Sequence, residues 1–312
     1  MDTKQIRQRW DFLECPNCNH SVDFFEQALH CSNCESEYSV VNGIPRMVFD
    51  VSQDILLSIE KWDENYKRQL ADGTFYKYHD EYMRLHFQDI CDQLEAAIPT
   101  KKDSLYLEIG CGPFFLGQAM ASKYDMVIGI DFCPSALEIA RKMLIEKGIT
   151  NYMLIQGNIL KMPIKSDLLD VVYGGGVIEH FKNTQDCVNE LYRVLKNEGG
   201  TFNTVPYLSL GSLSYRQIWG NIPNFPVLKG LAEWFHIKVL KGKHMRFGYE
   251  LSFLGSTLQK IHKKAGFREI SVKKFHAYLS FDFLPKFLKK PSVWLANNCQ
   301  LFWPIVFVVG KK

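Results

Sequence analysis

The chain has 312 residues, 46% of them hydrophobic and 23% charged, and it carries a formal net charge of only +3. These proportions are typical of a soluble globular protein, and they exclude a mostly disordered chain, a collagen-like repeat and a disulfide-stapled mini-protein. No uncharged apolar run reaches the roughly 18 residues that span a bilayer, and the N-terminus has no apolar signal-peptide core. We therefore expect a cytoplasmic protein, with peripheral membrane contact as a second option.

The charge is unevenly distributed along the chain. Residues 211–312 contain 17 Lys/Arg and four Asp/Glu, whereas residues 1–210 contain 20 Lys/Arg and 30 Asp/Glu. A basic C-terminal third indicates either an anionic partner, such as phosphate, nucleic acid or acidic lipid, or simply solvated helix faces. Composition alone leaves both interpretations open.

Two C-x-x-C pairs, with twelve residues between them, lie near the N-terminus. Each pair can present two thiolates to one ion, and two pairs complete a tetrahedral four-sulfur site. The spacing predicts a small ribbon over residues 1–50 that holds a structural Zn²⁺. Its four ligands are Cys15, Cys18, Cys31 and Cys34. Redox activity is the main alternative, but no β-α-β pattern surrounds either pair, as a thioredoxin-like site would require.

Residues 51–98 have a helical pattern, and Pro99 closes it. Aromatic side chains such as Trp62 and Tyr66 punctuate an otherwise charged sequence, and a turn at Asp72-Gly73 interrupts it. The pattern fits either a lid over a ligand or packing against the domain that follows. We treat residues 51–100 as a helical bridge.

A β-α-β-α pattern with a glycine turn begins at Leu105. A short apolar strand, 105–109, leads directly into Gly110-Cys111-Gly112, and a second buried strand, 126–130, ends at Asp131. Pro134 then opens a helix that Gly148 stops. Such units form parallel sheets with crossover helices, and the glycines and the helix N-terminus favour an anionic nucleoside ligand.

Two nucleoside cofactors fit this arrangement, and the residues beside the glycines separate them. A nicotinamide site would require a third glycine at position 115, which is Phe. Glu108 stands two residues before Gly110, and the resulting E-x-G-x-G closely resembles the first motif of the class I S-adenosylmethionine-dependent methyltransferases. Further segments resemble the motifs of that family in the same order: Gly157–Pro163, Leu169–Gly174, Val177–His180, Leu195–Gly200 and Ala265–Phe267.

The resemblance implies an α/β, Rossmann-like seven-stranded sheet with helices on both faces over residues 101–312. It also implies that S-adenosyl-L-methionine is bound at the strand ends. Gly110, Gly112 and Gly174 would lie beside its methionine and sugar portions, and Glu108 would help to hold the cationic amino-acid end. Asp131 would clasp the ribose, Phe132 would pack on the adenine, and Asn158 and Ile159 would read the adenine edge. The chain departs from the family at Pro113-Phe114-Phe115, which replaces a glycine and puts the methionine pocket in question.

The resemblance also implies in-line displacement at the methyl carbon, in which alignment of the acceptor supplies most of the acceleration. A hydroxyl or protonated amine acceptor also needs a base, and His180, just beyond the fourth family strand, is the candidate catalytic residue. A capping or substrate-shaping role is the alternative for His180. No Asn/Asp-Pro-Pro-Tyr follows that strand, which weighs against methylation of an adenine amino group.

Two insertions distinguish the chain from a minimal methyltransferase, at about 208–250 and 277–302. Both are rich in aromatic and basic residues and lie where acceptor-binding caps are often built. We expect an anionic small-molecule, glycan or lipid-linked acceptor, with peripheral membrane contact through the basic C-terminal third. An RNA methyltransferase with a zinc ribbon and a non-catalytic zinc-ribbon scaffold remain alternatives.

Overall fold

The computed structural model describes residues 10–49, 53–72, 79–245, 248–275 and 284–312. It divides into two compact units. The N-terminal unit comprises residues 1–173, 190–200 and 312, and the C-terminal unit comprises 174–189 and 201–311.

The N-terminal unit is built on one mixed sheet. Its strands are β1 (Asp23–Phe25), β2 (Ala28–His30), β3 (Glu37–Val41), β4 (Ile44–Met47), β5 (Leu105–Ile109), β6 (Met126–Asp131), β7 (Tyr152–Gly157) and β8 (Leu169–Gly175). Their order across the sheet is β1-β2-β3-β4-β7-β6-β5-β8. The last two residues of β8 belong to the C-terminal unit.

Four helices accompany these strands: α1 (Gln53–Asp72), α2 (His79–Ala97), α3 (Phe115–Met120) and α4 (Pro134–Glu146). Every residue of β5 is buried, which explains its uninterrupted apolar pattern. β5, β6 and β7 pair in parallel, so their carboxyl ends share one edge of the sheet. The predicted β-α-β-α segment is thus present, with the helix starting at Pro134 and Gly148 at a positive φ of 66°.

The cysteine ribbon is part of this sheet. β1 to β4 form an antiparallel meander, and β4 pairs in parallel with β7 through Arg46–Gln156 and Met47–Gly157. The sheet therefore holds more strands than the seven predicted for residues 101–312, because the ribbon, which was expected to stand apart, adds its four strands to it. Pairing between β4 and β7 spans more than 100 residues, so no local pattern reveals it.

Side-chain contacts tie the ribbon to the same sheet. Glu14 donates its backbone N–H to the Pro163 carbonyl, and its carboxylate pairs with the Arg193 guanidinium at 2.8 Å. Arg193 also donates to the carbonyls of Met162 and Ile164. The Arg193 guanidinium thus binds the Glu14 carboxylate and two carbonyls, and it fixes the ribbon more firmly than an isolated surface ion pair would.

The C-terminal unit contains β9 (Leu195–Pro206, from Thr201 onwards), β13 (Ile305–Lys311) and β12 (Arg268–Lys274) in that order, plus the short pair β10 (Ile222–Pro223) and β11 (Leu251–Ser252). Its helices are α5 (Thr184–Val194, to Asn189), α6 (Leu210–Leu213), α7 (Pro226–Glu233), α8 (Gly255–Ala265) and α9 (Lys286–Asn298). Single helical turns cover Ile178–His180, Tyr215–Trp219 and Gln300–Phe302, and a π-helical turn covers Trp234–Val239. β12 and β13 are antiparallel.

The bridge is helical, as its pattern predicts, in α1 and α2. Tyr66 of α1 packs against Ile139 and Met143 of α4, which supports the packing interpretation for that residue. Gly73, at the predicted turn, lies outside the described residues. The expected division at residues 50 and 100 stays a prediction.

Within the part of the chain that the structure describes, no helix has both the length and the apolar character needed to cross a bilayer.

Candidate functional site

The four cysteines of the two C-x-x-C pairs form one cluster. Their sulfur atoms all lie within 4.8 Å of one another, with Cys15–Cys34 at 3.5 Å and Cys18–Cys31 at 3.4 Å. A tetrahedral Zn²⁺ with Zn–S bonds of about 2.3 Å places its sulfurs about 3.8 Å apart, so the cluster has the dimensions of such a site. Cys15 and Cys31 are buried, which is typical of a closed structural site.

The glycine loop after β5 is shaped by two backbone conformations that side chains rarely adopt. Gly110 has φ 53° and Gly112 has φ 50°. The positive φ favours glycine at position 112, and a Cβ there would also lie 2.8 Å from the Tyr66 hydroxyl oxygen, so Tyr66 would have to shift. Tyr66 therefore covers the loop from α1.

Asp131 lies at the carboxyl end of β6 and holds this loop. Its Oδ2 accepts the Gly112 N–H at 2.8 Å, and its Oδ1 accepts the Cys133 N–H at 2.8 Å. Burial raises the pKa of Asp131, while these N–H donors act in the opposite direction. The carboxyl that the sequence assigns to ribose binding thus also organises the loop and the start of α4.

Glu108 is buried on β5 and accepts the Gly117 N–H at 2.7 Å. Burial raises the pKa of Glu108 to about 8, and the hydrogen bond from Gly117 offsets only part of that rise; among the described residues no cation contributes. A cationic group beside Glu108 would restore its ionisation.

The remaining predicted adenine contacts are buried side chains. Asn158 Oδ1 accepts the Leu160 N–H at 2.9 Å, which fixes the orientation of the amide. Ile159 is buried beside it, and Phe132 follows Asp131 directly. These residues, with Asp131, all follow the carboxyl ends of β6 and β7.

Phe114 stands where the motif that this loop resembles has a third glycine. Phe114 adopts the left-handed conformation, with φ 60° and ψ 40°, and its ring is fully buried. A Cβ on Gly117 would lie 2.1 Å from that ring and one on Gly129 would lie 3.0 Å from it. Two glycines thus create the space into which the ring turns.

His180 and Gly174 belong to the C-terminal unit. The His180 Nδ1 atom lies 2.7 Å from the Tyr249 carbonyl oxygen. Because a carbonyl can only accept, Nδ1 carries the proton in this bond and Nε2 of the neutral ring is left as an acceptor. Tyr249 is itself positioned, since its hydroxyl donates to Glu233 at 2.6 Å. Gly174 is buried at the end of β8.

Glu179, next to His180, is a buried carboxyl. Its Oε2 has no hydrogen-bond partner in the described structure. Burial, and to a smaller extent the nearby Glu250, raise the pKa of Glu179 well above its ordinary value. Glu250 is held by Asn221, which donates to its Oε2 at 2.9 Å.

Two tyrosines that were not predicted as site residues each lie beside a residue that was, Tyr66 beside Gly112 and Tyr249 beside His180. Tyr66 covers the glycine loop, and burial together with Asp131 raises its pKa well above 10, so it is a neutral phenol. Tyr249 sets the tautomer of His180. The aromatic pattern of residues 51–98 is the only sequence signal for Tyr66, and 69 residues separate Tyr249 from its partner.

Comparison with known proteins identifies a methyltransferase domain. Residues 100–214 match the family model described as "Methyltransferase domain". Malonyl-[acyl-carrier protein] O-methyltransferase of Enterobacter lignolyticus is 29% identical over 152 residues, which are 48% of this chain and 56% of that protein. Demethylmenaquinone methyltransferase of Lactiplantibacillus plantarum is 26% identical over 200 residues, covering 59% of this chain and 78% of that protein.

The fold has a counterpart among solved structures. A Haemonchus contortus phosphoethanolamine N-methyltransferase, solved with phosphomonomethylethanolamine and S-adenosylhomocysteine, aligns with a TM-score of 0.51 at 18% identity. It covers 72% of this chain and 52% of that protein, and it shows the fold alone. The chain spans only about half the length of some curated relatives. Residues 100–214 of the chain therefore match a methyltransferase domain, and the fold is Rossmann-like.

Proposed function

We propose that this protein is an S-adenosyl-L-methionine-dependent methyltransferase that acts on an oxygen or nitrogen of an anionic small-molecule, glycan or lipid-linked acceptor. The observation that carries the proposal is the pair formed by the glycine loop and Asp131, which accepts one loop N–H and lies at a sheet edge beside Tyr66. The relatives named above, one acting on an acyl-carrier protein and one on demethylmenaquinone by name, support methyl transfer and leave the acceptor open.

The residues of the N-terminal unit fit the cofactor. The buried acid at the end of β6 suits the ribose hydroxyls, and the two glycines of the loop suit a ligand that must approach the backbone closely. Glu108 is a buried carboxyl without a cation, and the amino group of the cofactor would supply one. Bound there, S-adenosylmethionine supplies an activated methyl group. Gly110, Gly112, Phe132, Asn158, Ile159 and Gly174 complete the proposed contacts.

His180 is the proposed general base. Its Nδ1 proton is committed to the Tyr249 carbonyl, so Nε2 is the nitrogen that can take a proton from an acceptor hydroxyl. The ring does not have to change tautomer before it acts. The Tyr249 hydroxyl in turn donates to Glu233, and this bond helps to fix the position of Tyr249.

The four cysteines are proposed to hold a structural Zn²⁺. The dimensions of the cluster support this, and four thiolates leave no open position for a substrate or an activated water. Zinc would therefore maintain the ribbon and take no part in methyl transfer.

Calorimetric titration with S-adenosylmethionine tests the cofactor assignment. Asp131→Asn should weaken binding about 10- to 100-fold, since charge-assisted hydrogen bonds to the ribose are lost. Asp125→Asn, at an exposed position just before β6, is the matched control and should bind normally. Well-folded wild-type protein that shows no binding would refute the proposal.

Transfer of labelled methyl groups tests the role of His180. The protein is incubated with tritiated S-adenosylmethionine and either the lipid extract or the water-soluble extract of its source cell. His180→Asn preserves a donor towards Tyr249 but removes Nε2, and it should lower turnover about 10²-fold or more while cofactor affinity stays unchanged. Equal turnover of variant and wild type at every pH would exclude His180 as the base.

A further inference from the structure

The segment Phe225–Leu240 of the C-terminal unit exposes apolar side chains on all sides. It consists of α7 and the π-helical turn that follows, and no residue of α7 is buried. Nine of its large apolar side chains are exposed: Phe225, Val227, Leu228, Leu231, Trp234, Phe235, Ile237, Val239 and Leu240. Val227 is 77% exposed and Leu231 is 62% exposed. His236 is the one buried residue of the segment.

This exposure is concentrated and not scattered. Among the described residues, 17 of the 20 exposed large hydrophobic side chains belong to the C-terminal unit. Single exposed apolar residues are normal on a soluble protein, but a contiguous run of them marks a surface that another phase or molecule covers.

Hydrogen bonds anchor the segment to its unit. His236 Nδ1 lies 2.8 Å from His244 Nε2, and His236 Nε2 lies 2.8 Å from Gln217 Oε1. Glu233 accepts the Tyr249 hydroxyl at 2.6 Å. The buried imidazole therefore fixes the base of the segment, and its apolar side chains are presented on a held element.

The charged side chains of the segment and of the residues that follow it are mostly basic. Glu233 is the sole acidic residue between positions 225 and 243, and Tyr249 already engages it. Four lysines stand among the apolar side chains: Lys229, Lys238, Lys241 and Lys243. Helix α9 repeats this composition, with three lysines, with Phe287 77% exposed and Trp294 67% exposed.

We propose that Phe225–Leu240 docks the protein on the surface of a membrane that contains anionic phospholipid. Apolar side chains with tryptophan and flanking lysines are what a bilayer interface binds, because the side chains enter the acyl boundary and the lysines meet the headgroup phosphates. RNA would leave Val227, Leu231 and Ile237 without a partner. A second copy seated symmetrically on the same face would oppose lysine to lysine.

Vesicle flotation of the full-length zinc-loaded protein tests this proposal, without S-adenosylmethionine and hence independently of methyl transfer. Binding is expected to vesicles of phosphatidylcholine with phosphatidylglycerol, and to be weaker at high salt or with phosphatidylcholine alone. The variant Leu231→Ser/Trp234→Ser should lose binding. Ile145→Ser, which alters a 56% exposed side chain on α4 of the N-terminal unit, should retain it. Replacing Lys238, Lys241 and Lys243 by Gln should weaken binding about fivefold for each lysine.

Three results would overturn the proposal. The first is that the wild-type protein does not float with anionic vesicles. The second is that the Leu231→Ser/Trp234→Ser variant floats as well as the Ile145→Ser variant. The third is a protein that ignores vesicles but is dimeric by light scattering and becomes monomeric in the Leu231→Ser/Trp234→Ser variant, which would assign the face to a second copy. Circular dichroism of each variant establishes that it is folded.

Discussion

Replacing Phe114 by glycine should destabilise this protein. The left-handed backbone at Phe114 costs about 1–2 kcal/mol, and glycine removes that strain. The fully buried ring would be lost at the same time, and truncation of a buried Phe typically costs about 3–5 kcal/mol. The lost burial outweighs the relieved backbone strain, so the free energy of unfolding of Phe114→Gly in urea denaturation should be about 1–4 kcal/mol lower.

A second substitution, at Gly117, tests whether the Phe114 ring occupies the space beside that glycine. Gly117→Ala would place its Cβ 2.1 Å from the Phe114 ring in the wild type, which should cost about 1–3 kcal/mol through overpacking. In the Phe114→Gly background the ring is gone, and the same change should stabilise by up to about 1 kcal/mol because alanine favours the helix. The effect of Gly117→Ala must therefore reverse sign. A Phe114→Gly variant as stable as the wild type, or a destabilising Gly117→Ala in both backgrounds, would refute the account of the loop.

Three further predictions concern zinc, pH and the cofactor. Cys31→Ser should lower bound zinc, measured by mass spectrometry, and reduce the free energy of unfolding, whereas Cys91→Ser, a lone buried cysteine, should leave the zinc content unchanged. Burial lowers the pKa of His262 from 6.5 to about 4. The contribution of neutral His262 to the free energy of unfolding is therefore fully present above pH 6.5 and is lost as the pH falls towards 4. Urea titrations at about pH 7.5 and pH 5 should show a loss of about 2 kcal/mol, which His262→Gln should abolish. Because the pKa of Glu108 is about 8 in the free protein, cofactor binding at about pH 7 should release about 0.9 proton, seen by calorimetry in buffers of different ionisation enthalpy and absent in Glu108→Gln.

The sequence predicts local elements well where periodicity and terminal signals agree. The predicted strand 105–109 has the bounds of β5, the second strand ends at Asp131, and Pro134 starts α4. Apolar runs, a proline at the first helical position and a glycine after the last all act within a few residues, so they can be read without tertiary information.

Features that depend on residues far apart in the sequence cannot be predicted from such local patterns. The β4–β7 pairing adds the ribbon to the sheet, and backbone hydrogen bonding of this kind leaves no side-chain signal. The close approach of the Phe114 ring to Gly117 and Gly129 depends on the direction in which that ring points. The tautomer of His180 depends on a carbonyl, a group that every residue possesses.

The place of β4 in the sheet has a consequence for how metal supply affects the enzyme. β4 occupies the hydrogen-bonding edge of β7, and an uncovered edge of that kind readily pairs with other chains. If the cysteines hold zinc as proposed, a chelator that unfolds the ribbon would remove this strand from the edge of β7 and promote self-association. A shortage of zinc would then act on the protein through aggregation, even though the proposed four-thiolate site leaves the metal no role in methyl transfer.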